Sequence, residues 1–317
     1  MSARAAVAAL ALAAAAPAAG YVRTAANGTG VPLSWPVPIV PWELNASWPD
    51  TAPSCSASAV LAAAKASFAQ WEQGCANLQL LWAGDTTEHS IGTRSPGRNV
   101  VIFRSGWCSQ DPRVLDIDGK GTVDPCMSDP DLTCGDKYGC FQDSRACIGK
   151  TSCVDWQVIA LTTVLHDPSS GRILSADIEL VGWDGTGKGG AIPIIPPGAT
   201  PPVPRHGWYF TCYAGAQPSK ECVNYDEPDC FYQDLQNTIT HEAGHFVGLA
   251  HSNVAGATMN PTTSPGETAK RSLSADDIAG VCAIYPEAKG GCGCGGGGGG
   301  TGLAALLLAA LALRRRR

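Results

Sequence analysis

The sequence predicts an α+β fold, a twisted mixed sheet completed by two C-terminal helices, and three observations lead there. Short runs rich in branched or aromatic residues, bounded by Gly, Pro, Asn or Asp, fill the chain up to Val181. Only one helical periodicity interrupts them early, in an alanine-rich stretch. The remaining helical patterns come together near the end.

Taken in order, residues 31–42 read as a proline-interrupted edge strand, since Pro36, Pro38 and Pro41 cannot donate to a ladder. Residues 56–73 read as a helix with Leu61, Ala64, Phe68 and Trp71 on one side. Strands are expected at 78–82, 99–103, 158–165 and 173–181. A helix over 235–248 has Asp234 or a neighbour as its cap, and a closing helix over 274–285 opens on Ser274 and Asp277, a capping-box pattern. This order places a cleft between a larger N-terminal sheet subdomain and a small, irregular C-terminal one.

The cleft has candidate chemistry. In the run His241-Glu-Ala-Gly-His-Phe-Val-Gly-Leu-Ala-His251, His241 and His245 lie one helical turn apart and leave the same face. Glu242 follows the first histidine and falls beside a metal rather than on it, where a general base belongs. Gly248 is the natural break, because glycine reaches left-handed angles without a Cβ clash. The chain then turns back and delivers His251 as a third ligand, leaving a fourth zinc position open. Three of the chain's six histidines lie in this run, and drawing its five fixed positions at random from the composition gives on the order of 10⁻⁵.

This extended motif, with Met259 in Ala-Thr-Met-Asn-Pro, resembles that of the metzincin metallopeptidases and their Met-turn. Ser252 directly after the third histidine is similar to the matrixin branch, as is Leu273-Ser-Ala-Asp-Asp-Ile-Ala-Gly-Val-Cys-Ala-Ile-Tyr285, which resembles its closing helix. Ala176-Asp-Ile-Glu-Leu180 resembles the strand before the active-site helix. The resemblance implies a zincin-like fold and a zinc-dependent endopeptidase acting on proteins or peptides. It implies that His241, His245 and His251 bind Zn2+, that Glu242 is the base, and that Met259 lies beneath the metal. Residues 261–270 would wall the pocket beyond the scissile bond. Two departures stand out: nothing resembles a cysteine-switch propeptide, and residues 105–156 and 183–230 are long insertions. The competing reading is a surface adhesion or scaffold module that keeps zinc without turnover, but such a module has no use for Glu242.

The two ends suggest export. Residues 1–20 have the form of a signal peptide, with Arg4 before a short apolar run and small residues at Ala18 and Gly20. Residues 21–287 then form one catalytic domain with cysteine-rich insertions. Residues 288–301 are a glycine-rich linker carrying Cys292 and Cys294, and 302–317 join an apolar segment to four arginines. This tail resembles the C-terminal sorting signals of myxobacterial surface proteins, and at about twelve residues its apolar part is short for a permanent span. Secretion to the cell envelope, with membrane association through the tail, is the expectation.

Of the 14 cysteines, 12 lie from Cys55 to Cys282, an even number that suits disulfides, and Cys55 and Cys75 bracket the first helix as a candidate pair. The stretch from Asp116 to Asp124 is similar to a Ca2+ loop. Lys120 occupies a ligand position and Met127 replaces the closing glutamate, so an acidic turn is the preferred reading and calcium a second candidate cofactor. His166 and Asp167 read as a solvated turn. A net charge of −6 without basic-aromatic clusters argues against nucleic acid.

Overall fold

The structure, a computed structural model, describes residues 20–45, 54–92, 97–105, 141, 158–183, 207–225 and 227–287. The signal segment up to residue 19, the cysteines from Cys108 to Cys153, the acidic loop Asp116–Asp124 and the tail 288–317 lie outside the described residues.

In chain order the elements are β1 (Val22–Arg23), β2 (Ile39–Asn45), α1 (Ala57–Gln70), β3 (Gln79–Thr86), β4 (Val100–Ser105), β5 (Ala160–His166), β6 (Ile173–Gly182), β7 (Phe210–Thr211), β8 (Gln233–Asp234), α2 (Leu235–Phe246), β9 (Leu249–Ala250) and α3 (Ala275–Ile284). The main sheet runs β3-β2-β4-β6-β5, all pairs parallel except antiparallel β5 against β6. This is the mixed α+β architecture expected, with the histidine helix and a closing helix following the sheet.

Residues 31–42 are not an edge strand. β2 begins at Ile39 and lies between β3 and β4. Pro36 and Pro38 delay its start, since neither can donate. Pro41 fits inside because its polar side faces a level where β4 has not begun: its carbonyl accepts from Asn99 Nδ2 at 2.7 Å, and β4 joins β2 only at Glu43 and Leu44.

Alternation aims Val40, Trp42 and Leu44 of β2 at the core, with Ala176, Ile178 and Leu180 of β6 beside them. α1 and α2 cover this face. Trp42 stacks on Phe68 of α1 at 4.3 Å, and Phe68 meets Phe246 of α2 edge-on at 5.2 Å, so one aromatic column joins sheet to helix to helix. Across the sheet, Ile91, Val100 and Ile102 form a second cluster beside the buried Arg104–Glu179 ion pair at 2.7 Å. There Asp177 accepts from Gly92 N at 2.7 Å and Val100 N at 2.9 Å, and burial pushes its carboxyl up to about 7 against those bonds.

Cys55 does not pair with Cys75. The disulfides among the described residues are Cys55–Cys212, Cys75–Cys282 and Cys222–Cys230. α1 itself forbids the expected pair: its 14 residues hold the flanking cysteines about 21 Å apart at 1.5 Å per residue, whereas bridged Cα atoms lie within about 7 Å. Cys75–Cys282 instead ties the end of α1 to α3.

Candidate metal centre

α2 starts where Asp234 accepts from Asn237 N at 2.7 Å, and Arg271 grips the same buried carboxylate through Nε at 2.9 Å and Nη2 at 2.5 Å. His241 and His245 then lie four positions apart on the helix, which puts both rings on one face. The opposite requirement falls on Gly244. A Cβ there would lie 2.1 Å from Met259 Sδ and 2.7 Å from the Trp71 ring, so only glycine lets this buried methionine close under the histidine turn.

The helix ends at Val247, and Gly248 takes φ +95°, left-handed as its position required. A Cβ there would also meet Leu33 O at 2.8 Å. Carbonyls at this helix end find distant donors: Trp35 Nε1 donates to Phe246 O at 2.9 Å, the Tyr285 hydroxyl to Val247 O at 2.9 Å, and Thr24 N to Gly248 O at 2.9 Å. β9 then pairs with β1 and brings His251 back over the helix.

One ligand atom from each of His241, His245 and His251 lies within 4.8 Å of the others, which makes this the one group of that kind among the described residues. His241 is the most enclosed of the three and His251 the most exposed. His241 Nδ1 lies 2.6 Å from Thr258 O and His245 Nδ1 2.8 Å from Leu249 O. A carbonyl can only accept, so each Nδ1 carries the proton and each Nε2 keeps its lone pair for a metal. Burial, reinforced by neighbouring His245, holds His241 well below the ordinary histidine value and therefore neutral. Two imidazoles in this state, with that of His251 close by, form a donor set suited to zinc.

Asp277 secures the loop beneath. Its carboxylate accepts from Thr258 N at 2.7 Å and Met259 N at 3.1 Å while closing the capping box of α3 with Ser274 N at 2.9 Å and Ser274 Oγ at 2.6 Å. One side chain thus locks the Met259 turn to the closing helix.

Glu242 is buried, and its carboxylate Oε2 accepts from Thr162 Oγ1 at 2.6 Å. The same hydroxyl lies 3.0 Å from Glu242 O. Thr162 belongs to β5, 80 residues upstream, and the sequence offers no pattern that singles it out. A cavity of about 270 Å³ opens beside the centre, lined by His241, Glu242 and His251, by 158–160 at the start of β5, and by Pro261, Thr263 and Lys270. The structure therefore brings all four sequence-derived site residues and Met259 together. His166 and Asp167 stay apart from it; His166 is the last residue of β5 rather than part of a turn, and Asp167 precedes the turn 168–170, where the Ser169 hydroxyl and backbone N–H hold its carboxyl down at about 2.

Residues 219–286 match the family model of Matrixin. This chain is similar to metalloendoproteinase 1-MMP of Arabidopsis thaliana, 46% identical over 52 residues that cover 16% of this chain and 14% of that protein. Neutrophil collagenase of Homo sapiens is 53% identical over 45 residues, 14% of this chain and 10% of the relative. Matrilysin of Mus musculus is 48% identical over 46 residues, 14% and 17% respectively. The chain thus spans less than a fifth of the length of each of these curated relatives.

Proposed function

We propose that this chain is a zinc-dependent endopeptidase, exported and held at the cell envelope. The observation that carries the reading is the convergence of His241, His245 and His251 on one point, with the Glu242 carboxylate alongside in an open cavity. Relatives named as metalloendoproteinases, and the match of residues 219–286 to the Matrixin model, support it.

The three histidines would hold zinc, which would supply a Lewis acid for the scissile carbonyl and lower the pKa of the attacking water. Glu242 takes a proton from that water as the new C–O bond forms, then delivers it to the amine nitrogen as the C–N bond breaks. Thr162 acts through Glu242 as a positioning residue: its hydroxyl fixes the carboxylate from the sheet side. β5 is one of the two edge strands of the sheet among those described, and residues 158–160 lead from the cavity into it. An extended substrate pairs its backbone along this edge and passes its side chains across the cavity.

Export rests on residues 1–20, the sorting-type tail at 288–317, and three disulfides that suit an oxidising compartment. Digestion of a peptide library tests the activity. Cleavage that disappears on chelation and returns with zinc supports the reading; cleavage indifferent to chelator contradicts it.

A further inference from the structure

Several hydrogen-bond donors line the cavity beside the histidines, and Lys270 contributes a charged one. The lysine sits in a tight 3-10 turn, Ala269–Arg271, held by Lys270 N donating to Asn237 Oδ1 at 2.8 Å and by the Arg271–Asp234 ion pair. Its side chain is only 7% exposed, yet it lines the cavity. An ammonium has three protons to give. Two go to the carbonyls of Asn260 at 2.7 Å and Thr262 at 2.5 Å. The nearest carboxylate, Glu267, stands 3.9 Å away, beyond hydrogen-bonding distance. Among the described residues the third N–H therefore has no acceptor.

Two more donors face the same space. The bond from Lys270 N to Asn237 Oδ1 fixes that amide, so Asn237 Nδ2 turns to Thr263 Oγ1 at 3.3 Å with its second proton left over. Thr263, having accepted, keeps its own proton to donate. The cavity's own carboxylate, Glu242, is engaged by Thr162. An aliphatic occupant would leave three donors dry and unpaired, which proteins avoid. A carboxylate satisfies them and returns a counter-charge to a lysine whose burial draws its pKa down, against Glu267, Asp277 and Glu242.

We propose that this cavity takes the carboxylate side chain of a glutamate or aspartate immediately after the scissile bond, with Lys270 as the specificity-determining residue. The proposal rests on the endopeptidase reading and deepens it by naming the substrate class: peptides acidic at that position.

The test uses purified, zinc-loaded protein and peptides identical except for Glu, Gln or Leu after the scissile bond. The wild type should favour Glu over both by at least about tenfold in kcat/KM, since a site built on hydrogen bonds rejects occupants that leave them unmade. In Lys270→Met the Glu-to-Leu ratio should fall below one, while Lys270→Arg keeps it above one. These ratios do not depend on the fraction of folded enzyme, and a purely structural lysine would lower all three rates together. A wild type that prefers Leu, or an unchanged ratio in Lys270→Met, overturns the proposal. Should either variant fail to fold, the wild-type ranking alone decides.

Calorimetric binding of amidated tripeptides beginning with Glu or Leu to Glu242→Gln protein separates the two levels. Tighter binding of the Glu peptide together with no cleavage by wild type would sink the peptidase reading and keep the acidic pocket. Equal binding, with cleavage intact, would do the reverse.

Discussion

Two stretches of the molecule build the centre, and they differ in how far apart in sequence their partners lie. From Asp234 to Asp277, the features that space the ligands are local, although distant residues such as Thr24 and Trp35 bond the helix end: a helical turn spaces two histidines, a glycine turns the chain, and Asp277 bonds a loop fewer than twenty residues away. β5 contributes from a distance, its Thr162 hydroxyl meeting Glu242 across 80 residues. The difference separates two jobs. On the proposed reading, metal grip would be encoded in a short segment by helical geometry, whereas control of the base would depend on the whole sheet placing one strand correctly.

Removing a ligand should give the largest effect. His251→Ala leaves two imidazoles on one helical turn, too few for a tetrahedral site, and should abolish both zinc retention and peptidase activity. Full zinc occupancy with unchanged affinity in that variant would break the local half of the comparison.

Thr162→Val probes the distant half. It removes a hydrogen bond to a carboxylate, worth about 1.5–3 kcal/mol, and kcat should fall by at least about tenfold with KM little changed. Thr162→Ser, which keeps the hydroxyl, should recover most of the loss. Equal damage from Val and Ser would reduce Thr162 to a packing residue.

The same division explains what could be read from the chain alone. The helix expected over 235–248 and found as Leu235–Phe246, its Asp234 cap, the break at Gly248, the capping box at Ser274 and the grouping of all four site residues follow from spacing and from single-residue chemistry. Most strands follow from branched residues between turn formers. The interior position of β2 does not, because proline content marks an edge while tolerance of Pro41 depends on where β4 begins. Nor does the disulfide pattern, which joins cysteines 157 and 207 residues apart. Asp277 was visible only as a cap; its hold on Thr258 and Met259 arises when α3 packs under the Met259 loop.

A smaller effect lies on the far face of the sheet. Asp177 is raised to about 7 from its ordinary value of 3.8 by burial, so between those pH values the folded chain keeps a proton that the unfolded chain has released. That contribution to stability is present at low pH and lost as pH rises through about 7. The difference in melting temperature between wild type and Asp177→Asn, followed from pH 5 to pH 8 at fixed zinc, should therefore shift against the wild type on the alkaline side. A difference independent of pH would show that Asp177 is already ionised throughout, and that the sheet's two faces are less unlike than their side chains suggest.

The central claim is that Glu242 moves the proton at a centre whose metal is held by the histidines alone. Paired zinc analysis and peptide cleavage on Glu242→Gln test it most directly. The account expects zinc bound as in the wild type and cleavage lower by about 10²–10⁴ or more, the usual worth of general acid–base help. Undiminished cleavage by the zinc-loaded variant would assign the base elsewhere and contradict it.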